Sequence, residues 1–149
     1  MAQGLPGAVL FACNANRVRS PMAEALMKLF YGSQVYVDSC GLKPERELDP
    51  FVTVVMDEIG ADLSHHRPKS FDDLEDDSFD VVISLTPEAQ HRAVELSRGR
   101  AVEIEYWPTF DPALTEGSRE AILEAHRRTR DQLAARIVER FGKPQTAGG

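Results

Sequence analysis

Apolar and polar positions along this chain follow two alternating rhythms. Residues 8–13, AVLFAC, form a short continuous apolar run, the pattern of a strand buried on both faces. PMAEALMKLFYG follows, with Met22, Leu26, Leu29 and Phe30 at helical spacing. VYVDSCG predicts a second strand. PFVTVVMDEIG predicts a second helix despite its β-branched residues, with Asp49 as cap, Pro50 in the first turn and Gly60 as stop. FDVVISL predicts a third strand, PEAQHRAVELS a polar helix and AVEIEYW an alternating fourth strand. The longest helix lies in GSREAILEAHRRTRDQLAARIVERF, where Ile122, Ala125, Thr129, Leu133, Ile137 and Phe141 make one stripe.

Strands alternating with helices predict a single-domain α/β fold over residues 8–141. It would be a doubly wound, four-stranded, mostly parallel sheet flanked by helices, with right-handed crossovers. Residues 1–7 and 142–149 read as loose termini. In such sheets the site lies beyond the carboxyl ends of the strands. Four segments then share one edge: the loop after Cys13, the DSCG turn, the SLTP turn and the loop PTFDPALTEG.

Composition narrows the chemistry. The chain has 149 residues, 42% of them apolar, enough for one sizeable core. Its net charge of -7 argues against general nucleic-acid binding, so any anion site must be local. No apolar run approaches the ~20 residues that span a bilayer, and MAQGLPGAVLFAC lacks the pattern of a signal peptide. The expectation is a cytoplasmic protein, monomer or weak dimer, with neither nucleic acid nor membrane as partner. Cys13 and Cys40 make no disulfide framework, and the four scattered histidines suggest no metal. No cofactor is expected.

The turn after the first strand, CNANRVRSP, is chemically dense. Cys13 ends the strand, and Ser20 with Pro21 reads as the cap and first turn of a helix. A strand, a tight loop and a helix N-terminus together cradle an anion, because loop N–H groups and the helix dipole converge. Arg19 adds a planar fork that grips two phosphate oxygens. The same nest stabilises a thiolate at Cys13, and Ser20 could donate a hydrogen bond to its sulfur. A thiolate beneath a bound phosphate is placed for in-line attack on phosphorus. The candidate phosphate-binding residues are Asn14, Ala15, Asn16, Arg17, Val18, Arg19 and Ser20.

VLFACNANRVRSPMAEA resembles the first strand, phosphate loop and first helix of the low-molecular-weight protein tyrosine phosphatases and related arsenate reductases. DSCG, SHHRPKS, FDVVISL and FDPALTEGSREA resemble further segments of that family in order, so the likeness runs from about Val9 to Phe141. It implies that Cys13 is the nucleophile, Arg19 the phosphate clamp and Asp111 the general acid. It implies a left-handed Asn16 that shapes the cradle, a Ser20 hydroxyl that steadies the thiolate, and support from Ser39 and His66, with His65 competing for the last place. Three departures stand out. Val18 replaces a second loop cysteine, so no disulfide forms within the loop. Arg17 replaces an apolar or small residue and is expected to make the rim more cationic. Ala113 and Leu114 replace two tyrosines, leaving Phe110, Trp107 or Tyr106 to supply an aromatic wall.

Asp38, Asp49 and Asp111 compete as the acid that protonates the leaving oxygen. Helix capping accounts for Asp49, and Asp38 belongs to the second strand. Asp111 lies on the site edge between Phe110 and Pro112. DDLEDD, residues 72–77, reads as a solvated helical turn, and HRRTR in the last helix as a surface face. The expected function is phosphomonoester hydrolysis through a phosphocysteine, on a phosphorylated protein or a small aryl phosphate. The alternatives are an arsenate reductase using an external thiol and a non-catalytic phosphate-binding protein. The shape of HRPKS and DPALTEG leans toward the reductase branch, but residues 84–96, SLTPEAQHRAVEL, hold no resolving cysteine, and the thiol count, which the chemistry requires, favours the hydrolase.

Overall fold

The structure is a computed structural model that describes residues 4–76 and 78–144. Its main elements are β1 (Ala8–Cys13), α1 (Arg19–Tyr31), β2 (Tyr36–Gly41), α2 (Pro50–Asp57), β3 (Val81–Ser84), α3 (Pro87–Ser97), β4 (Glu103–Tyr106) and α4 (Arg119–Phe141). The strands form one sheet in the order β2-β1-β3-β4, and every neighbouring pair is parallel. All four strands therefore end on the same edge. Cys13 sits beside Gly41 there, and Ala12 beside Ser84.

The central strands β1 and β3 are the two apolar runs without polar alternation, because both their faces are covered. Successive residues of β1 serve two cores. Val9, Phe11 and Cys13 face the core built with α1, α2 and α4. Leu10 and Ala12 face the smaller one, with Ala89 and Ala93 of α3 and with Phe71 and Phe79.

Helix starts follow local chemistry in three cases. Asp49 accepts from the Phe51 N–H at 2.8 Å, Thr86 from Ala89 at 3.1 Å and Ser118 from Ala121 at 3.1 Å. α1 departs from expectation. Val18 holds its N-cap position without a side-chain bond, and Ser20 lies inside the first turn. Its hydroxyl is taken by the sulfur of Cys13 instead, as described below.

HRRTR, expected as a surface face, is largely buried. His126 is fully covered, stacked on Phe51 at 5.5 Å between ring centroids, and Thr129 and Arg130 are also buried. The reason is that α4 packs on both α1 and α2, which widens its buried face beyond one stripe. Leu123 and His126 join it, whereas Ile122 and Phe141 are only half-buried. Arg130 tolerates burial because its guanidinium donates to the Val55 carbonyl and to Glu58, both at 2.8 Å.

In DDLEDD, Phe71–Asp73 form a short 3-10 turn whose Asp72 and Asp73 side chains reach solvent, and Asp77 lies outside the described residues. Of the termini, residues 1–3 and 145–149 lie outside them as well. Among the described residues, no helix is long and apolar enough to cross a membrane.

Candidate anion-binding active site

The loop between β1 and α1 wraps against the end of β2. Gly41 makes this approach possible. A Cβ there would lie 2.7 Å from the Asn16 nitrogen and 2.9 Å from both the Ala15 carbonyl carbon and the Asn14 oxygen, closer than real contacts allow. The N–H groups of Leu42, Lys43 and Glu45 donate to the carbonyls of Cys13, Asn14 and Ala15 at 3.2, 2.8 and 3.0 Å. These carbonyls point away from the cradle, which leaves its interior to N–H groups. The Asn16 N–H is one of them, 3.3 Å from the Cys13 sulfur.

Asn16 is the only non-glycine residue with positive φ among those described, at 50°, and it is fully buried. Asparagine tolerates this conformation better than most residues. Its side chain satisfies both ends. Nδ2 donates to Ser20 Oγ and to Ser39 Oγ, each at 2.9 Å, and Oδ1 accepts from the Lys69 N–H at 2.9 Å. The two hydroxyls, once accepting from Asn16, must direct their own protons elsewhere. Ser39 donates to Glu24 Oε1 at 2.6 Å. Ser20 lies 2.9 Å from Cys13 Sγ and 3.4 Å from the Cys40 carbonyl, so the sulfur is the nearer acceptor. The network therefore aims a donor at the Cys13 sulfur.

His66 closes the same network. Its Nε2 lies 3.2 Å from the Asn16 carbonyl, and its Nδ1 lies 4.0 Å from Glu24 Oε1. The tautomer with Nε2–H donating fits the carbonyl. His65 is exposed and takes no part. Burial holds the His66 imidazole below its ordinary value of 6.5, against the opposing pull of the Asn16 carbonyl and the Glu24 charge.

The cationic side of the site is built from both ends of the chain. Arg19 Nη1 donates to the Thr109 carbonyl at 3.0 Å, and its Nη2 lies 3.7 Å from Asp111 Oδ2. Asp111 Oδ1 accepts from the Ala113 N–H at 3.0 Å, which fixes the carboxylate at the start of a short 3-10 turn, Pro112–Leu114. The competing acids are committed elsewhere. Asp38 pairs with Lys69 at 2.8 Å, and Asp49 caps α2 while pairing with Arg17 at 3.1 Å.

Above the sulfur lies a pocket of about 180 Å³ lined by Cys13, Ala15, Arg17, Val18, Arg19, Glu45, Asp111 and Ala113. Of the loop residues expected to hold phosphate, Asn14, Asn16 and Ser20 support it from behind. Asn14 faces the next element, accepting from Thr86 Oγ1 at 2.7 Å and so tying the loop to the start of α3.

Two expectations about the mouth are corrected. Arg17 does not make the rim cationic, because Asp49 neutralises it. None of the three aromatic candidates lines the pocket. Trp107 is buried in the core, edge-on to Phe11 at 6.0 Å, while Phe110 and Tyr106 lie outside the lining.

Glu24, Lys69, Thr109, Gly41 and Glu45 were not legible as site residues. Glu24 carried a signal: it is a carboxylate in the middle of a stretch that helical periodicity buries.

Two outcomes test this construction. Gly41→Ala should cost about 1–3 kcal/mol in urea unfolding through overpacking and should weaken inorganic phosphate binding measured by titration calorimetry. Unaltered stability and affinity would contradict the close approach. His66 should make stability pH-dependent. Well above pH 6.5 both folded and unfolded imidazoles are neutral. As pH falls from there toward the lower folded value, the unfolded state takes up the proton first and stability is lost. Urea midpoints of His66→Asn should show a shallower decline over that interval.

Residues 8–138 match the family described as low molecular weight phosphotyrosine protein phosphatase. The arsenate reductase of Bacillus subtilis (strain 168) is 29% identical over 131 residues, 88% of this chain and 92% of that one. The glutaredoxin arsenate reductase of Synechocystis is 38% identical over 77 residues, which cover 52% of this chain and only 58% of that protein. Among solved structures, the low molecular weight protein tyrosine phosphatase from T. tengcongensis superposes with a TM-score of 0.70 at 25% identity, covering 90% of this chain and 99% of that one. The strand, the phosphate-shaped loop around Asn16 and the extent of these matches agree: the chain belongs to the low molecular weight phosphotyrosine protein phosphatase family.

Proposed function

We propose that the protein is a phosphomonoester hydrolase of the tyrosine-phosphatase type that works through a phosphocysteine. The supporting observation is the meeting of Cys13, Arg19 and Asp111 around one small pocket that no second thiol of this chain can enter. Cys40 is fully buried in the core on the opposite face of the sheet from Cys13. Burial also pushes its thiol far up from its ordinary value. An adduct on Cys13 must then be released by water or by a thiol from another molecule.

In the first step the Cys13 thiolate attacks phosphorus, the ester P–O bond breaks and the leaving oxygen takes a proton from Asp111. Arg19 and the loop N–H groups hold the equatorial oxygens, where charge gathers. In the second step the ionised Asp111 takes a proton from water, the water oxygen attacks phosphorus and the P–S bond breaks. Phosphate leaves and the thiolate is restored, stabilised by Ser20. The substrate is a phosphorylated protein or a small aryl phosphate.

A second reading has its own support. Curated relatives carry the name arsenate reductase, and a pocket of about 180 Å³ admits a bare tetrahedral oxyanion. In that reading a Cys13–arsenate adduct is attacked by an external thiol of the glutathione class, whose two electrons reduce the arsenic as the sulfurs couple.

One panel separates the readings. Hydrolysis of p-nitrophenyl phosphate should be readily measured in the wild type and abolished in Cys13→Ser, which should still bind phosphate; retained turnover would sink the nucleophile. Asp111→Asn should slow alkyl phosphates by about 100-fold or more and p-nitrophenyl phosphate far less, since nitrophenolate leaves without a proton. Equal losses on both would remove the acid role. Thiol-dependent arsenate reduction in the absence of hydrolysis would favour the second reading.

A further inference from the structure

The charges at the pocket mouth are unevenly matched. Arg17 spends its charge on Asp49 at 3.1 Å, and Arg19 lies 3.7 Å from Asp111. Glu45 also lines the pocket, and its carboxylate has no hydrogen bond or ion pair among the described residues. Its position is not incidental. The Glu45 N–H donates to the Ala15 carbonyl at 3.0 Å, which pins its backbone to the phosphate loop itself. Lys43 and Arg46, its basic neighbours in sequence, do not line the pocket. The remaining walls are small and uncharged: Ala15, Val18 and Ala113.

We propose that Glu45 is a specificity-determining residue that selects phosphate esters carrying a positive charge on the leaving group, close to the ester oxygen. This rests on the hydrolase reading above and names the substrate class for the same site. A phosphate seated on the loop leaves room in a pocket of about 180 Å³, so the first atoms of the leaving group lie within it, along the wall that Glu45 lines. A cation there gains a partner that the protein leaves unmatched. An acidic group there meets like charge, with no aromatic wall to offset the repulsion. Because Glu45 is solvent-exposed, the preference is modest and salt-sensitive.

The test compares 3-(aminomethyl)phenyl phosphate, whose ammonium is charged, with its N-acetyl derivative, which is neutral and shares the ring. The ratio of their kcat/KM values is the readout. Comparing that ratio between wild type and variants cancels any difference in leaving-group acidity. Relative to Glu45→Gln, the wild-type ratio should favour the ammonium ester by about threefold at low salt. The advantage should shrink at about 1 M salt, where the Debye length is about 3 Å. Glu45→Lys should push the ratio below that of Glu45→Gln. A ratio unchanged in both variants overturns the proposal while p-nitrophenyl phosphate hydrolysis keeps the hydrolase reading intact. Absence of hydrolysis on all three esters overturns both.

Discussion

The candidate site depends on a single buried asparagine held in a left-handed conformation. Asn16 turns the loop so that its N–H faces the Cys13 sulfur while its side chain reaches back to Ser20, Ser39 and the Lys69 backbone. A positive φ is costly for a side-chain-bearing residue. It persists here because every polar atom of Asn16 finds a partner, and leaving any one unpaired in the interior would cost more than the strain. Glu24 anchors the far end of that network with a charge. The direction of each hydroxyl proton follows from it, ending with a donor at the sulfur.

The same loop explains why elements far apart in sequence must meet. Gly41 lets it lie flat on β2, Thr86 ties Asn14 to α3, and the Thr109 carbonyl fixes the arginine fork. A parallel sheet brings the three connections to one edge, so the fold and the cradle are parts of one construction. Charge at the mouth is then decided by pairing rather than by count. Two arginines and three carboxylates meet there, and the excess falls on Glu45.

Much of this was readable from local pattern. The uninterrupted runs in β1 and β3 announced strands covered on both sides, and Asp49 with Pro50 marked a helix start by chemistry that acts within a few residues. Cys13, Arg19 and Ser20 stood out because their spacing suits one loop. The errors share a cause. Arg17 looked like an unmatched rim charge because its partner Asp49 is 32 positions away. HRRTR looked solvated because polar letters suggest a surface, whereas α4 packs on α1 and α2, and α2 with its C-terminal end supplies the partners of Arg130 and the ring stacked on His126. Ser20 looked like a helix cap because its letter and its neighbour Pro21 suit that role, and the sulfur competes for the hydroxyl only in three dimensions.

By itself, then, the sequence determined the alternation of strands and helices, the parallel sheet and the identity of the cysteine loop, since each follows from periodicity or short spacing. Tertiary structure alone decided which histidine supports the loop, that Cys40 cannot reach Cys13, and that the mouth carries a spare negative charge. These are questions of which face a side chain takes and which distant partner it meets. Hydrogen bonds and ion pairs act over a few ångströms in space, and chain separation says almost nothing about that distance until the sheet is formed.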